Sequence, residues 1–283
     1  MILPDNHILF ASADELQAIC RPLHSLNSML GFTYCKLYSN KKHFKLSTNA
    51  TKQKNLYEKN YIYESPLFYC DLALSINTGI YCQSVLSSGK YCSTLNNALD
   101  FDTNSYWIIL IKTNYSRETF EFWGDNRFNF TNFFWQNLSL FKRFCLYFKD
   151  RAKNLIRHAE KQQITLHREG QPTTNAPLPL HQLCQNTWKI NYKNFLKDTS
   201  FRRMQLEDPT IANLTLSGRE FECAIALLRN ETAQSTAEKL CLSRRTVETY
   251  IENLKNKLGC IDKIELKQKL LENTVLKFYQ DCI

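Results

Sequence analysis

Large aromatic side chains and a helical apolar rhythm occupy opposite ends of this 283-residue chain, and that division constrains the fold more than any other feature. Residues 1–150 hold 28 of the 36 Phe, Tyr and Trp residues. Residues 214–283 hold four, Phe221, Tyr250, Phe278 and Tyr279, and repeat apolar side chains at a 3.6-residue period. Between them, residues 171–179 read QPTTNAPLP, three prolines in nine residues, which marks a linker. The length suits two domains. The expected division is 1–163, then a linker over 164–213, then 214–283.

The aromatic half reads as α+β. Leu16, Ile19, Leu23, Leu26 and Leu30 recur at helical spacing behind Ser12 and Asp14, and Gly31 is expected to end that helix. Residues 32–39 and 44–48 then predict a hairpin around Asn40-Lys41-Lys42. A second hairpin is predicted from 106–113 and 119–123 flanking Asn114-Tyr115-Ser116-Arg117. Residues 129–161 contain no helix breaker and predict one long helix. This order suits an antiparallel sheet with helices packed on it, the plan shared by PAS, GAF and autoinducer-binding modules.

Composition narrows the classes that remain. With 43% hydrophobic and 22% charged residues, wholesale disorder is excluded. Eleven cysteines, without a C-x-x-C pair, predict reduced core thiols rather than a disulfide framework or a zinc site. The first sixteen residues lack the pattern of a secretory signal, and no apolar run exceeds six residues. A soluble cytoplasmic protein with no membrane partner is therefore expected. Six His residues form no metal-binding spacing, and neither a G-x-S-x-G nor a P-loop is present. No enzyme activity, metal or cofactor is expected.

Residues 214–271 carry the most specific pattern. Ser217 with Glu220 three residues on makes a capping box, and Phe221, Ile225 and Leu228 follow on one face. A second short helix turns Thr236-Ala237 and Leu240 inward. A third, capped by Ser243, buries Val247, Ile251, Leu254 and Leu258 and closes at Gly259. A fourth begins at Asp262. Two short helices, a tight turn and a longer helix match the helix-turn-helix plan. The outward positions of the third helix are Arg244, Arg245, Glu248, Thr249, Glu252, Asn253, Lys255 and Asn256. Arg and Lys suit phosphates, and Glu, Thr and Asn suit base edges.

The string LTLSGREFE…TAEKLCLSRRTVETYIENLKNKLGC resembles the LuxR-type (NarL-type) DNA-binding domain of bacterial transcription regulators. The shared elements are Leu216-Ser217, Arg219-Glu220, Glu222, Ala237, Leu240, Ser243, Thr246-Val247-Glu248, Asn253, Lys257-Leu258-Gly259 and Glu265-Leu266. The resemblance implies base contacts by Glu248, Thr249 and Glu252. It implies phosphate contacts by Ser243, Arg244, Arg245, Thr246, Lys255 and Lys257. It also implies dimerisation through the fourth helix, here Ile264, Leu266 and Leu270. The chain departs from the family at Asn230, Thr236, Tyr250 and Lys263, and in placing Glu at both 248 and 252. Expected partners are double-stranded DNA, a second copy of the chain, a small-molecule effector and RNA polymerase.

Such regulators carry a phosphoacceptor receiver, a lactone-binding domain or another sensor. Acidic residues after a first strand and a βαβ rhythm, the marks of a receiver, are missing from the sequence. Aromatic content is more similar to the lactone-binding class, in whose pocket region Tyr57, Tyr61, Tyr63 and Asp71 fall. No Trp accompanies them, and the family's Asp-Pro step is Ser65-Pro66 here. The expectation is a PAS/GAF-like domain that senses a small molecule or a partner. The rival readings are a protein-interaction scaffold and an enzyme-like ligand domain fused to a helical bundle. The net charge of +9 divides as +3 over 1–150, +5 over 151–213 and only +1 over 214–283, so the DNA reading rests on spacing rather than on bulk charge.

Overall fold

The structure is a computed structural model that describes residues 3–26, 29–64, 76–82, 105–125, 129–165, 192–206 and 214–281. The proline-rich stretch 171–179, Ser65-Pro66 and Asp71 lie outside the described residues. The chain forms two compact units, one of residues 1–138 with 151–195, the other of 139–150 with 196–283.

The first unit is built on a six-stranded sheet of order β3-β4-β5-β1-β2-β6, with β1 Met29–Tyr38, β2 Lys42–Ser47, β3 Gly79–Cys82, β4 Ser105–Lys112, β5 Ser116–Gly124 and β6 Ile164–Thr165. Every pairing is antiparallel. Both predicted hairpins are present, and Lys41 takes the left-handed backbone (φ 67°) that the first turn needs.

The expected helix ending at Gly31 is instead two short helices, α2 Ala13–Ile19 and α3 Arg21–His24, after α1 Ile8–Ala11. Pro22 stands in the first turn of α3, where a missing N–H costs nothing, but it cannot continue α2. Gly31 lies inside β1, at the register shift opposite Trp123. A Cβ there would stand 2.9 Å from the Trp123 ring, so the glycine admits the indole rather than stopping a helix. The single helix expected over 129–161 is three: α5 Phe130–Gln136, α6 Leu138–Arg151 and α7 Lys153–Glu160, after α4 Ala50–Glu58. Asn137 breaks the run by turning its amide back to the Phe133 carbonyl (2.8 Å). Ala152 takes ψ near 10° at the second break.

The two sheet faces differ in chemistry. One carries Phe32, Tyr34, Phe44, Leu46, Trp107, Ile109, Phe120 and Phe122, all buried. Helix α5 packs there, with Phe134 stacked on Trp107 (5.4 Å between centroids) and tilted against Phe122 (5.9 Å). Toward one end of this face, Glu160 of α7 accepts from the Tyr38 hydroxyl (2.7 Å), and Glu118 accepts from Tyr34 (2.9 Å). Polar residues crowd the other face, where Thr33, His43, Lys45, Ser47, Thr119 and Glu121 are buried as well. Helix α4 covers part of it with Lys52, Gln53, Leu56 and Tyr57.

In the second unit, helix α6 contributes residues 139–150, and α8 Tyr192–Asp198 its last turn. A hairpin of β7 Arg203–Leu206 and β8 Leu214–Ser217 leads into α9 Gly218–Leu228, α10 Ala233–Leu240, α11 Arg244–Leu258, α12 Lys263–Glu272 and α13 Thr274–Phe278. The Lys142 ammonium of α6 donates to the Phe278 carbonyl (2.8 Å) and pairs with Asp281 (2.9 Å). The four expected helices are all present. The β7–β8 hairpin and α13 are additions that the sequence reading lacked.

Candidate nucleic-acid interface

The interface begins with local capping. Ser217 accepts from the Glu220 N–H (3.2 Å), while Glu220 accepts from the Ser217 N–H (2.7 Å), a complete capping box for α9. Asn230, where the family commonly has Gly, takes the left-handed backbone (φ 62°) after α9. Thr232 caps α10 through the Ser235 N–H (3.1 Å). Cys241, also left-handed (φ 53°), turns the chain so that Ser243 caps α11 through the Thr246 N–H (3.0 Å). Gly259 (φ 61°) ends α11. Val247, Leu254 and Leu258 are buried and Ile251 is half-buried, which fixes the rotation of α11 and leaves its opposite face in solvent.

The residues expected at DNA divide into groups. Thr249 is exposed, with its hydroxyl donated to the Arg245 carbonyl (2.9 Å). Glu248 is paired to Arg244 (2.8 Å) and Glu252 to Lys255 (2.8 Å), so two expected base contacts neutralise two expected phosphate contacts within the helix. Ser243 and Thr246 are tied to each other at the cap (2.7 Å). Lys257 reaches inward: its ammonium lies 2.6 Å from Glu220 and 3.1 Å from the Thr215 carbonyl, joining the end of α11 to the start of α9. Burial alone raises the Glu220 carboxyl, but the bonds from Lys257 and Ser217 outweigh it and hold the group below its ordinary value.

Of the three expected dimer residues, Leu266 and Leu270 are buried inside the unit and offer no surface. Ile264 is 80% exposed, beside Ile261 at 89% and Leu271 at 44%. A groove of about 800 Å³ lies between α11 and the start of α12, lined by Arg244, Glu248 and Ile251 on one side and Lys263, Ile264 and Lys267 on the other.

Of the four residues expected to line a pocket in the first unit, the structure describes the side chains of Tyr57 and Tyr61. Tyr57 is buried with its hydroxyl 2.8 Å from His43 Nε2, and half-buried Tyr61 packs on the same apolar cluster. The Tyr63 side chain and Asp71 lie outside the described residues. What the sequence reading missed is the polar sheet face. There Glu121 accepts from the Tyr106 hydroxyl and from Thr119 (3.1 Å), and the Lys52 ammonium stands 3.7 Å over the Trp123 ring. Burial pushes Lys52 well below its ordinary value, against the pull of Glu121. Among the described residues, Gln53 Oε1 and Trp123 Nε1 are buried there without a hydrogen-bond partner. Among the described residues no group of His, Cys, Asp and Glu is placed to hold a metal, and no helix is long and apolar enough to cross a membrane.

Residues 214–269 match the family described as "Bacterial regulatory proteins, luxR family" (GerE). No similar sequence was found among curated proteins. Among solved structures, Escherichia coli SdiA aligns over 93% of this chain and 92% of its own, at 10% identity and a TM-score of 0.33. SdiA in complex with octanoyl-rac-glycerol aligns over 93% and 89%, at 10% identity and 0.32. The capped helices α9–α12 and the sequence match coincide over the same residues: residues 214–269 are a helix-turn-helix domain of the bacterial luxR family.

Proposed function

We propose that the protein is a sequence-specific, DNA-binding transcriptional regulator of the cytoplasm whose first unit senses a small molecule. The observation that carries the DNA reading is the solvent face of α11, held outward by the buried stripe at Val247, Leu254 and Leu258 within a luxR-family domain. Such a helix enters the major groove, and the N–H groups of its first turn suit a phosphate. Arg244, Arg245 and Lys255 add phosphate attraction once the duplex competes for them. A homodimer through exposed Ile261 and Ile264 would place two such helices on a near-palindromic site.

The sensing role rests on the polar sheet face. A domain of this size has no structural need for buried Lys45 and Glu121 on one face of its sheet with buried Lys52 of α4 above them, because burying charge costs stability. A ligand that uses the unpartnered Gln53 and Trp123 atoms would offset that cost. The test is a mobility-shift assay of the full chain on genomic fragments. The expected result is a saturable shift that weakens steeply as salt rises from about 50 to 200 mM. No such shift sinks the regulator reading and leaves the scaffold reading in place. For sensing, thermal unfolding is measured with acyl-homoserine lactones and with polar metabolites. A midpoint raised by one of them supports the reading, and a flat profile across both sets removes it.

A further inference from the structure

Strand β7 precedes the residues that match the luxR family, yet it is built into the second unit rather than running past it as a linker. Its Met204 and Leu206 are buried, as are Leu214 and Leu216 of β8. The pairing continues beyond the strands, where the Gly218 N–H donates to the Arg202 carbonyl (2.9 Å). Gly218 admits this approach, since a Cβ there would stand 2.5 Å from the Phe201 carbonyl oxygen. The Phe201 ring meets Phe221 of α9 edge-on (5.6 Å between centroids). Side chains alternate along the hairpin, so Arg203, Gln205 and Thr215 share its outer face. Lys257, near the end of α11, donates to the Thr215 carbonyl (3.1 Å), which sets the hairpin beside the end of that helix.

Arg202 and Arg203 are exposed, and among the described residues neither guanidinium makes a hydrogen bond or ion pair. Residues 196–206 carry Lys197, Arg202 and Arg203 against Asp198, a net +2 in eleven residues, whereas 214–283 carry +1 in seventy. On α11, Arg244 and Lys255 are shared with Glu248 and Glu252. Helix α11 has 15 residues and is about 22 Å long, while the major groove is about 12 Å wide. A helix that enters by its first turn therefore brings its far end to the flanking sugar-phosphate backbone. Arg203 lies one strand over and two residues along from Thr215, about 8 Å, which leaves that backbone within reach of its side chain. From this placement, and resting on the reading of α11 as a DNA-binding helix, we infer that the β7–β8 hairpin is a second DNA contact. Its Arg203 and Arg202 take phosphates that flank the segment met by α11. The occupant is the same duplex, because the exposed charge is positive and the surface is continuous with the end of α11. Phosphate contacts carry no sequence information, so the hairpin adds affinity and fixes register without altering the preferred sequence. It supplies, from a strand outside the family match, attraction that Glu248 and Glu252 take away from α11.

The full chain is titrated, over a range of salt, onto the shortest genomic fragment that it shifts with full affinity. The same fragment trimmed by about three base pairs at each end is the second probe, since 8 Å corresponds to between two and three pairs at about 3.4 Å each. Arg203→Gln is expected to weaken binding to all duplexes alike and to lower the slope of log affinity against log salt by about one. Arg202→Gln combined with Arg203→Gln lowers it by about two. Arg203→Lys keeps the wild-type slope, because a lysine serves at a phosphate as a point charge. Lys54→Gln, which removes one exposed cation from the first unit, leaves the slope unchanged. Trimming weakens the wild type and affects the double variant less. The inference is overturned if the double variant keeps the wild-type slope, or if Lys54→Gln lowers it as much as Arg203→Gln does. Trimming that acts equally on wild type and double variant overturns it, and so does a changed sequence preference in Arg203→Gln. Absence of saturable binding by the wild type overturns the regulator reading and this inference together, whereas the other outcomes strike the hairpin alone.

Discussion

Glu220 ties the start of α9 to the end of α11. It closes the capping box of α9 and also receives Lys257 from the far end of α11, so one buried carboxylate joins two helices. Removing the lysine leaves a charged group buried with one partner fewer. Lys257→Ala is expected to lower the stability of the second unit by about 1–2 kcal/mol in denaturant melts. The pH dependence has a definite sign. A carboxyl held below its ordinary value of 4.5 stabilises the fold above that pH and loses its contribution as pH falls through the lowered value. The gap between wild type and Lys257→Ala should therefore narrow as pH falls below 4.5, and a gap that does not would show that Glu220 is not its source. Gly259 gives a second residue-scale outcome. With φ 61° and nothing within 4 Å of a built Cβ, Gly259→Ala meets no clash and pays only the left-handed penalty, about 1 kcal/mol.

Among the elements, the strands depended most on their surroundings. Thr119-Phe120-Glu121-Phe122 and Lys45-Leu46-Ser47 alternate polar and apolar, the pattern of strands with one face in water. The structure buries both faces, because α4 lies over the polar one. Alternation defined which residues share a face, but it carried no information on what covers that face. Gly31 is similar: a glycine after an apolar helical pattern suggests a helix end, whereas its actual constraint is an indole that arrives from β5, ninety residues later. Gly31→Ala drives a Cβ to 2.9 Å from that ring and is expected to cost about 1–3 kcal/mol, seen as a lower midpoint of the first unit. Helices α9–α12 were legible, since caps such as Ser217, Thr232 and Ser243 and the period of the buried stripe are local signals.

For the whole molecule, acid should act on the two units through different groups. Burial, with Lys45 nearby, pushes the His43 imidazole down to about 3, against an ordinary value of 6.5. The folded state therefore keeps His43 neutral while the unfolded chain takes up a proton, and stability falls as pH drops from about 6.5 toward 3. The first unit is expected to lose roughly 1 kcal/mol per pH unit over that window, and His43→Gln to flatten the decline. Equal slopes for wild type and variant would refute this. The helix-turn-helix domain could be recognised from the chain alone because its caps, turns and buried stripe repeat over distances of three to five residues, where backbone chemistry acts directly. Which faces are covered, that Lys257 turns inward and that Glu248 is held to one side depend on packing between elements far apart in sequence. Such contacts follow from how α9, α11 and α12 dock on one another, and no local pattern of residues encodes that docking.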